Sequence, residues 1–385
     1  MNLLRIGDLE ARLPIIQGGM GVAVSLSGLA SAVANEGGIG IISSASIGML
    51  IPHFSKDFRG ANKTALHEEI RKARKKTDGI IGVNIMVALS DYEDHLTVAI
   101  EEKADLIISG AGLPIHMPDS VIKDKKENNK TKFLPIVSSA KAAGLIFRYW
   151  AGHYGVIPDA VVVEGPKAGG HLGYKKTQIE DPNFLLEKII PTVIEAIKPF
   201  EEQFGKEIPV IAAGGIYTGA DMFRIMKLGA RGVQIASRLV PTFECDASDE
   251  FKETYVNSKQ EDVVLIDSPV GLPGRAINNQ FLKDVAAGKR NPVNCPWKCL
   301  KTCDYKKAPY CISLALINAA KGKLKNGFVF AGSNAYKTKK IQSVKTVFQE
   351  LIAEYEIFRV RENAQKLQNT FQTLRRKETE KVLLS

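Results

Sequence analysis

The stretch Ala160-Val161-Val162-Val163-Glu164-Gly165-Pro166-Lys167-Ala168-Gly169-Gly170-His171-Leu172-Gly173 runs from an apolar strand through a glycine-rich turn to a single imidazole. Its first four residues have the pattern of a strand buried on both faces, as in a parallel sheet covered by helices. Glycines at this density let backbone N–H groups approach a phosphate or a flat ring where a Cβ would clash. A histidine in that position can move a proton near neutral pH.

The same strand-then-polar-exit pattern recurs on both sides of this stretch. Apolar, β-branched runs fall at 13–16, 39–42, 80–85, 105–108, 134–137, 160–163, 209–212 and 232–235. Helical signals separate most of them. Ser27 to Glu36 is Ala-rich, with Ser27 at the N-cap and Gly37 as the stop; Tyr92 to Lys103 and Phe184 to Phe204 are amphipathic; Thr218 to Leu228 closes at Gly229. Eight strand–helix repeats predict a (β/α)8 TIM barrel, with active residues at the C-terminal strand ends. An open doubly wound sheet is disfavoured because the first strand lacks the Gly-x-Gly-x-x-Gly turn that such a fold uses for dinucleotides.

Barrels commonly bind phosphate in the loops after strands seven and eight. Here those loops carry Gly214-Gly215 and Gln234-Ile235-Ala236-Ser237-Arg238. Bare backbone N–H groups, one hydroxyl and an arginine can together hold a phosphate dianion.

The 385 residues carry a net charge of +10. The lysines are dispersed with few interleaved aromatics, so the surface reads as a solvated basic face and predicts no nucleic-acid partner. No apolar run approaches the ~20 residues of a membrane helix, and the first residues lack the design of a signal peptide. The expectation is a cytoplasmic enzyme with no membrane partner.

Six motifs in order resemble the nitronate monooxygenase family and the related flavin-dependent enoyl-acyl carrier protein reductases. They are Pro14-Ile15-Ile16-Gln17-Gly18-Gly19-Met20-Gly21, Gly82-Val83-Asn84, Gly110-Ala111-Gly112, Ala168-Gly169-Gly170-His171, Ala212-Ala213-Gly214-Gly215-Ile216 and Val233-Gln234-Ile235-Ala236-Ser237-Arg238. The resemblance implies an FMN-binding barrel. It places Gln17, Gly18, Gly19 and Met20 along the flavin ring and Asn84, Glu164 and Gly169 against FMN from their strand ends. Gly214, Gly215 and Gln234, Ile235, Ala236 and Ser237 would hold the phosphate, and His171 matches the active-site histidine. Ala236-Ser237 departs from the usual Gly-Thr but keeps the hydroxyl, and Glu164 stands where many relatives carry Gln.

The resemblance implies two activities: oxidation of alkyl nitronates with molecular oxygen, or NAD(P)H-dependent reduction of an enoyl thioester. In the first, His171 is a base or a substrate-orienting group. A flavin- or metal-binding redox-sensing module without turnover is a third reading, which the intact His171 opposes. A homodimer is a further expectation. His153 reads as structural, and His67 and His95 as solvated.

Composition shifts after residue 245. Cys295, Cys299, Cys303 and Cys311 form a C-x3-C-x3-C-x7-C array in a chain with five cysteines. The array predicts a four-thiolate metal site, a 4Fe-4S cluster in preference to zinc. Cys245 stands alone. The turn-rich Ser268–Arg275 and the small-residue loop Gly332–Tyr336 are candidate lids over the flavin. The expected organisation is a barrel over 1–245, a lid and four-cysteine extension over 246–340, and a C-terminal helix with a basic tail over 341–385.

Overall fold

The computed structural model describes residues 1–127, 130–290 and 294–383, the side chains of 367 and 369–383 excepted. Eight parallel strands form the central sheet: β1 (Ile15–Gln17), β2 (Gly40–Ser43), β3 (Ile81–Met86), β4 (Leu106–Gly110), β5 (Lys132–Val137), β6 (Val161–Glu164), β7 (Val210–Ala213) and β8 (Gly232–Ile235). Neighbours in the sheet follow chain order, and β8 pairs with β1. The remaining seam between β1 and β2 closes through a parallel bridge from Ile16 to Ile39, with Gln17 N–H donating to the Ile39 carbonyl at 2.9 Å. The sheet is therefore the expected (β/α)8 TIM barrel.

Alternation along each strand divides the apolar residues between two cores. On β6, Val162 joins Ile16, Ile41, Leu106, Ile108, Leu134 and Ile211 inside the barrel. Val161 and Val163 point outward and pack under the helices. Both faces of the strand are dry, which is why the run reads as uninterrupted valine in sequence. An N-terminal hairpin, Leu4–Ile6 with Leu9–Ala11, plugs the lower mouth with Leu4, Ile6 and Ala11.

The helix Ser27–Asn35 starts differently from the expectation. Leu26, not Ser27, occupies the N-cap and offers no side-chain bond. Instead the Asp246 carboxylate accepts from the N–H groups of Leu26, Gly28 and Leu29 at 2.7, 3.0 and 3.1 Å. A carboxylate there satisfies orphan donors and complements the helix dipole, and it ties the β1 exit to the chain that follows β8.

Beyond residue 245 the chain packs across the C-terminal rim. Strands β9 (Val263–Asp267) and β10 (Pro273–Ile277) form an antiparallel hairpin. Along its other edge β10 pairs with Val329–Phe330 and, further along, with Gly170–His171. The loop after β6 is thus an edge strand of the lid sheet. A long helix, Val344–Leu383, closes the described chain, its first turns buried through Val344, Val347, Phe348 and Leu351.

Candidate active site

A cavity of about 1080 Å³ opens at the C-terminal ends of the strands. Ligand pockets are commonly 300–1,000 Å³, so this one has room for a cofactor and a substrate side by side. Of the residues expected at a cofactor, Gly18, Gly19, Met20, Asn84, Glu164, Gly169, Gly214, Gly215, Gln234, Ile235, Ala236 and Ser237 line it, as does His171. Gln17 does not. Its buried side chain donates from Nε2 to the Ile41 carbonyl at 2.8 Å and accepts from the Ile41 N–H at 3.1 Å. It stitches β1 to β2 where the ladder is thinnest.

One end of the cavity is built from backbone. Gly214 and Gly215 hold φ of +94° and +81°, a region that side-chain-bearing residues rarely adopt. Ser237 Oγ accepts from the Gly332 N–H at 2.9 Å. Asn334 Nδ2 donates to the Gly215 carbonyl at 2.7 Å. The lid loop 332–336 therefore clasps the exits of both β7 and β8. Arg238 is turned away: it pairs with Glu350 and lies 4.7 Å over the Tyr217 ring. The cation that lines this end is Lys167, which the sequence reading passed over.

The middle of the cavity is flat and tightly lined. A Cβ on Gly19 would overlap the Asn84 side chain, so the β1 exit and Asn84 meet only because residue 19 is glycine. Gln234 Oε1 is buried without a hydrogen-bond partner among the described residues. Buried polar atoms are nearly always paired, so an unpaired one facing a cavity marks the place of a ligand donor. A bare glycine turn, a serine hydroxyl, a lysine, a closely lined slot and an orphaned acceptor suit the phosphate and ring of FMN.

The opposite end is built from side chains. His171 Nε2 lies 2.7 Å from Ser268 Oγ, and its ring meets the edge of Phe330 at 5.0 Å. No counter-charge offsets its burial, which pushes its pKa down to about 4. The imidazole is therefore neutral at pH 7. Burial pushes the Glu164 carboxyl up to about 7, leaving it half protonated near neutrality. Tyr174 OH donates to the Glu164 carbonyl at 2.6 Å, and the buried Arg275 guanidinium donates to the Pro166 and Ala168 carbonyls at 2.7 and 2.5 Å. Ser268 and Arg275 both come from the β9–β10 lid. Ser268 and Arg275 lie in the turn-rich segment singled out in sequence, but their bonding to the β6 loop had no local signal.

The cysteine expectation needs correction. No three His, Cys, Asp or Glu side chains among the described residues converge where one metal ion could sit. Cys295, Cys299, Cys303 and Cys311 are free thiols. Ordinary packing holds the segment: Trp297 stacks 5.7 Å from Phe58, Leu300 bridges to Leu89, and Cys299 Sγ lies 3.4 Å from Ser313 Oγ. Burial pushes the Cys299 thiol up to about 11, with the nearby Cys311, Cys295 and Cys303 thiols raising it further. The residues present do not fit a 4Fe-4S cluster or zinc. Cys245 is also buried, its thiol donating to the Val24 carbonyl at 3.3 Å outside the cavity lining.

The other histidines lie elsewhere. His153 is exposed and stacks beside Tyr149 and Tyr154. His67 is one-quarter exposed and paired with Glu102 at 2.7 Å. His95, expected in solvent, is fully buried, with Nδ1 2.9 Å from Ser44 Oγ and Nε2 3.3 Å from Asp91. This serine–histidine–aspartate row resembles a hydrolase triad, but Ser44 is fully buried and does not line the active-site cavity.

A barrel with a glycine-built loop after β7, a small-residue loop after β8 and a histidine after β6 belongs with cofactor-binding enzymes of the barrel class. The family model for nitronate monooxygenase matches residues 5–354. The chain belongs to that family, whose members are flavin-dependent oxidoreductases. A probable nitronate monooxygenase of Staphylococcus aureus is 26% identical over 314 residues, covering 72% of this chain and 79% of that protein. A (3aS,4S,5R,7aS)-5-hydroxy-7a-methyl-1-oxo-octahydro-1H-indene-4-carboxyl-CoA dehydrogenase of Mycobacterium tuberculosis is 27% identical over 72% of this chain, a match spanning 66% of that protein, just under two thirds. Among solved structures, FabK from Thermotoga maritima superposes with a TM-score of 0.70 at 27% identity, covering 94% of this chain and 96% of that one. A nitroalkane oxidase from Streptomyces ansochromogenes shares the fold, with a TM-score of 0.69 at 20% identity, 91% of this chain and 97% of that one.

Proposed function

We propose that the chain is an FMN-dependent nitronate monooxygenase, in which His171 orients an alkyl nitronate for oxidation by molecular oxygen. The observation that carries the reading is a part-buried imidazole on the cavity wall, held at 2.7 Å by Ser268 and without a carboxylate partner among the described residues, its pKa lowered by desolvation. FMN, when bound, supplies the electron-accepting chemistry. The protein's residues supply placement. Gly214, Gly215, Ser237 and Lys167 hold the phosphate, Gly18, Gly19 and Asn84 border the ring, and Gln234 accepts a hydrogen bond through its free oxygen.

A conjugate acid with a pKa near 4 makes His171 a weak base toward a neutral nitroalkane. It is well suited to an anion. A nitronate oxygen beside the ring accepts a hydrogen bond, and its negative charge raises the imidazole pKa, so the ring can take up a proton as the anion binds. The Ser268 hydroxyl fixes the ring plane and occupies Nε2, leaving Nδ1 for the substrate. Phe330, Val270 and Leu272 keep water from that end.

The size of the cavity favours one second reading, reduction of an enoyl thioester with NAD(P)H, since a small nitronate leaves part of the 1080 Å³ unfilled. The likeness to FabK supports the same alternative. One pair of assays tests the proposal on protein loaded with FMN. Oxygen uptake with a preformed nitronate and no pyridine nucleotide is the expected result. NAD(P)H oxidation that requires an enoyl thioester, without nitronate-dependent oxygen uptake, replaces it with the alternative.

A further inference from the structure

The strands of the barrel send their last inward-facing residues into the floor of the cavity. Ile41, Val162 and Ile211 point into the barrel, so alternation puts Ser43 of β2, Glu164 of β6 and Ala213 of β7 on the same inward face. Parallel register sets Glu164 beside Ala213, Ala213 beside Gln234, and Ser43 beside Asn84. All five line the cavity, and Glu164 is the one acidic residue that does so. Its carboxyl group has no hydrogen bond or ion pair among the described residues; Tyr174 OH donates to the Glu164 carbonyl instead. Burial alone acts on the carboxyl, which therefore titrates near pH 7. A carboxyl group so placed has two states of opposite use to an anion. Protonated, it offers an O–H donor; ionised, it is an uncompensated negative charge on the floor of a concave site.

We infer that Glu164 is a specificity residue that decides the charge of what the cavity holds: the neutral acid admits an anionic ligand, and the carboxylate repels it. The inference rests on the reading of the site as one for an anionic nitronate. The charged and titratable groups around Glu164 leave this part to it. Lys167 and the exposed Lys175 bring positive charge to the lining, the first of them at the phosphate end. Arg275 is engaged with the Pro166 and Ala168 carbonyls. Desolvation leaves His171 neutral in the free protein and pushes the Tyr174, Tyr217 and Tyr255 hydroxyls up. His171 is the one rival, because an anion beside its ring can draw a proton onto it, and a variant separates the two.

The probe is nitrate, a planar oxyanion that stays ionised from about pH 6 to 9. It is titrated into FMN-loaded protein at constant ionic strength and followed by calorimetry or by the flavin difference spectrum. Wild type should bind nitrate at least about tenfold more weakly at pH 9 than at pH 6. Glu164→Gln keeps the shape and cannot ionise, so its two affinities should agree within about threefold. His171→Ala should weaken binding at both pH values and keep the wild-type ratio. A wild-type ratio below about tenfold overturns the inference, as does absence of nitrate binding at pH 6. A Glu164→Gln variant with the wild-type ratio overturns it too, and a flat His171→Ala variant moves the switch to the imidazole. Nitronate-driven oxygen uptake is scored separately. Its absence beside a pH-dependent nitrate affinity removes the proposed function alone. A pH-independent affinity beside intact turnover removes this inference alone.

Discussion

The loop after β6 and the cysteine segment at 295–311 present the same kind of signal, reactive side chains at short intervals, and they end differently. The β6 loop leaves a strand of the barrel, so His171 and Glu164 arrive at the one place where eight strand ends converge. The lid then fixes them through Ser268 and Arg275. The cysteine segment crosses the rim with no such frame, and its side chains go to neighbours that packing supplies, Cys299 to Ser313 and Trp297 to Phe58. Reactive residues become a site when the fold aims them at common space. Spacing in sequence does not aim them.

The widest separation between the two regions should come from Gly19→Ala. The added methyl overlaps Asn84 at the floor of the ring slot, and FMN retention should fall about 100-fold, roughly 3 kcal/mol, read from flavin absorbance after gel filtration. Retention at the wild-type level would remove the slot from the account. His171→Ala should keep FMN but lower kcat/KM toward a nitronate by about 30- to 100-fold, the loss of one charge-assisted hydrogen bond to the reacting anion.

Glu164→Gln should act on stability with a definite sign. The folded-state pKa of Glu164 is raised to about 7, so its contribution to stability is complete below the unfolded value near 4.5 and is lost as pH rises through 7. Glutamine cannot ionise. Without cofactor, the variant should melt about 2–4 °C above wild type at pH 8 and level with it at pH 4.5. Equal melting at both values would show that Glu164 is solvated in the folded protein.

The smallest effect is expected in the other region. Cys295→Ser with Cys303→Ser should shift stability by no more than about 0.5 kcal/mol and leave the visible spectrum unchanged, because neither thiol is bound to a metal. A broad absorption band near 400 nm that disappears in the double variant would overturn this and restore the cluster.

The barrel was legible because each strand is a short apolar run that ends at a small or polar residue. The eight runs match the observed strands to within two residues at every boundary. The phosphate end was legible for a related reason, since glycines that permit unusual backbone angles are visible as glycines. The histidine end was only half legible. His171 follows its strand directly, whereas Ser268 lies 97 residues away and reaches it through antiparallel pairing that no local pattern specifies. Lys167 and Arg238 show the limit in one pair. Arg238 adjoins the phosphate loop in sequence but pairs with Glu350 of the C-terminal helix, while Lys167 enters from the neighbouring strand. His95 shows a further limit, since its helix carries Glu and Asp as a solvated helix does, yet the inner face of that helix buries His95 against Asp91 and Ser44.

The most direct measurement of the central claim is the initial rate of oxygen uptake by FMN-loaded protein given a preformed alkyl nitronate, without pyridine nucleotide, for wild type and His171→Ala side by side. The account predicts steady turnover in the wild type and a loss of about 30- to 100-fold in kcat/KM for the variant at equal flavin content. Oxygen uptake no faster than that of free FMN, or a variant that matches the wild type, would contradict it.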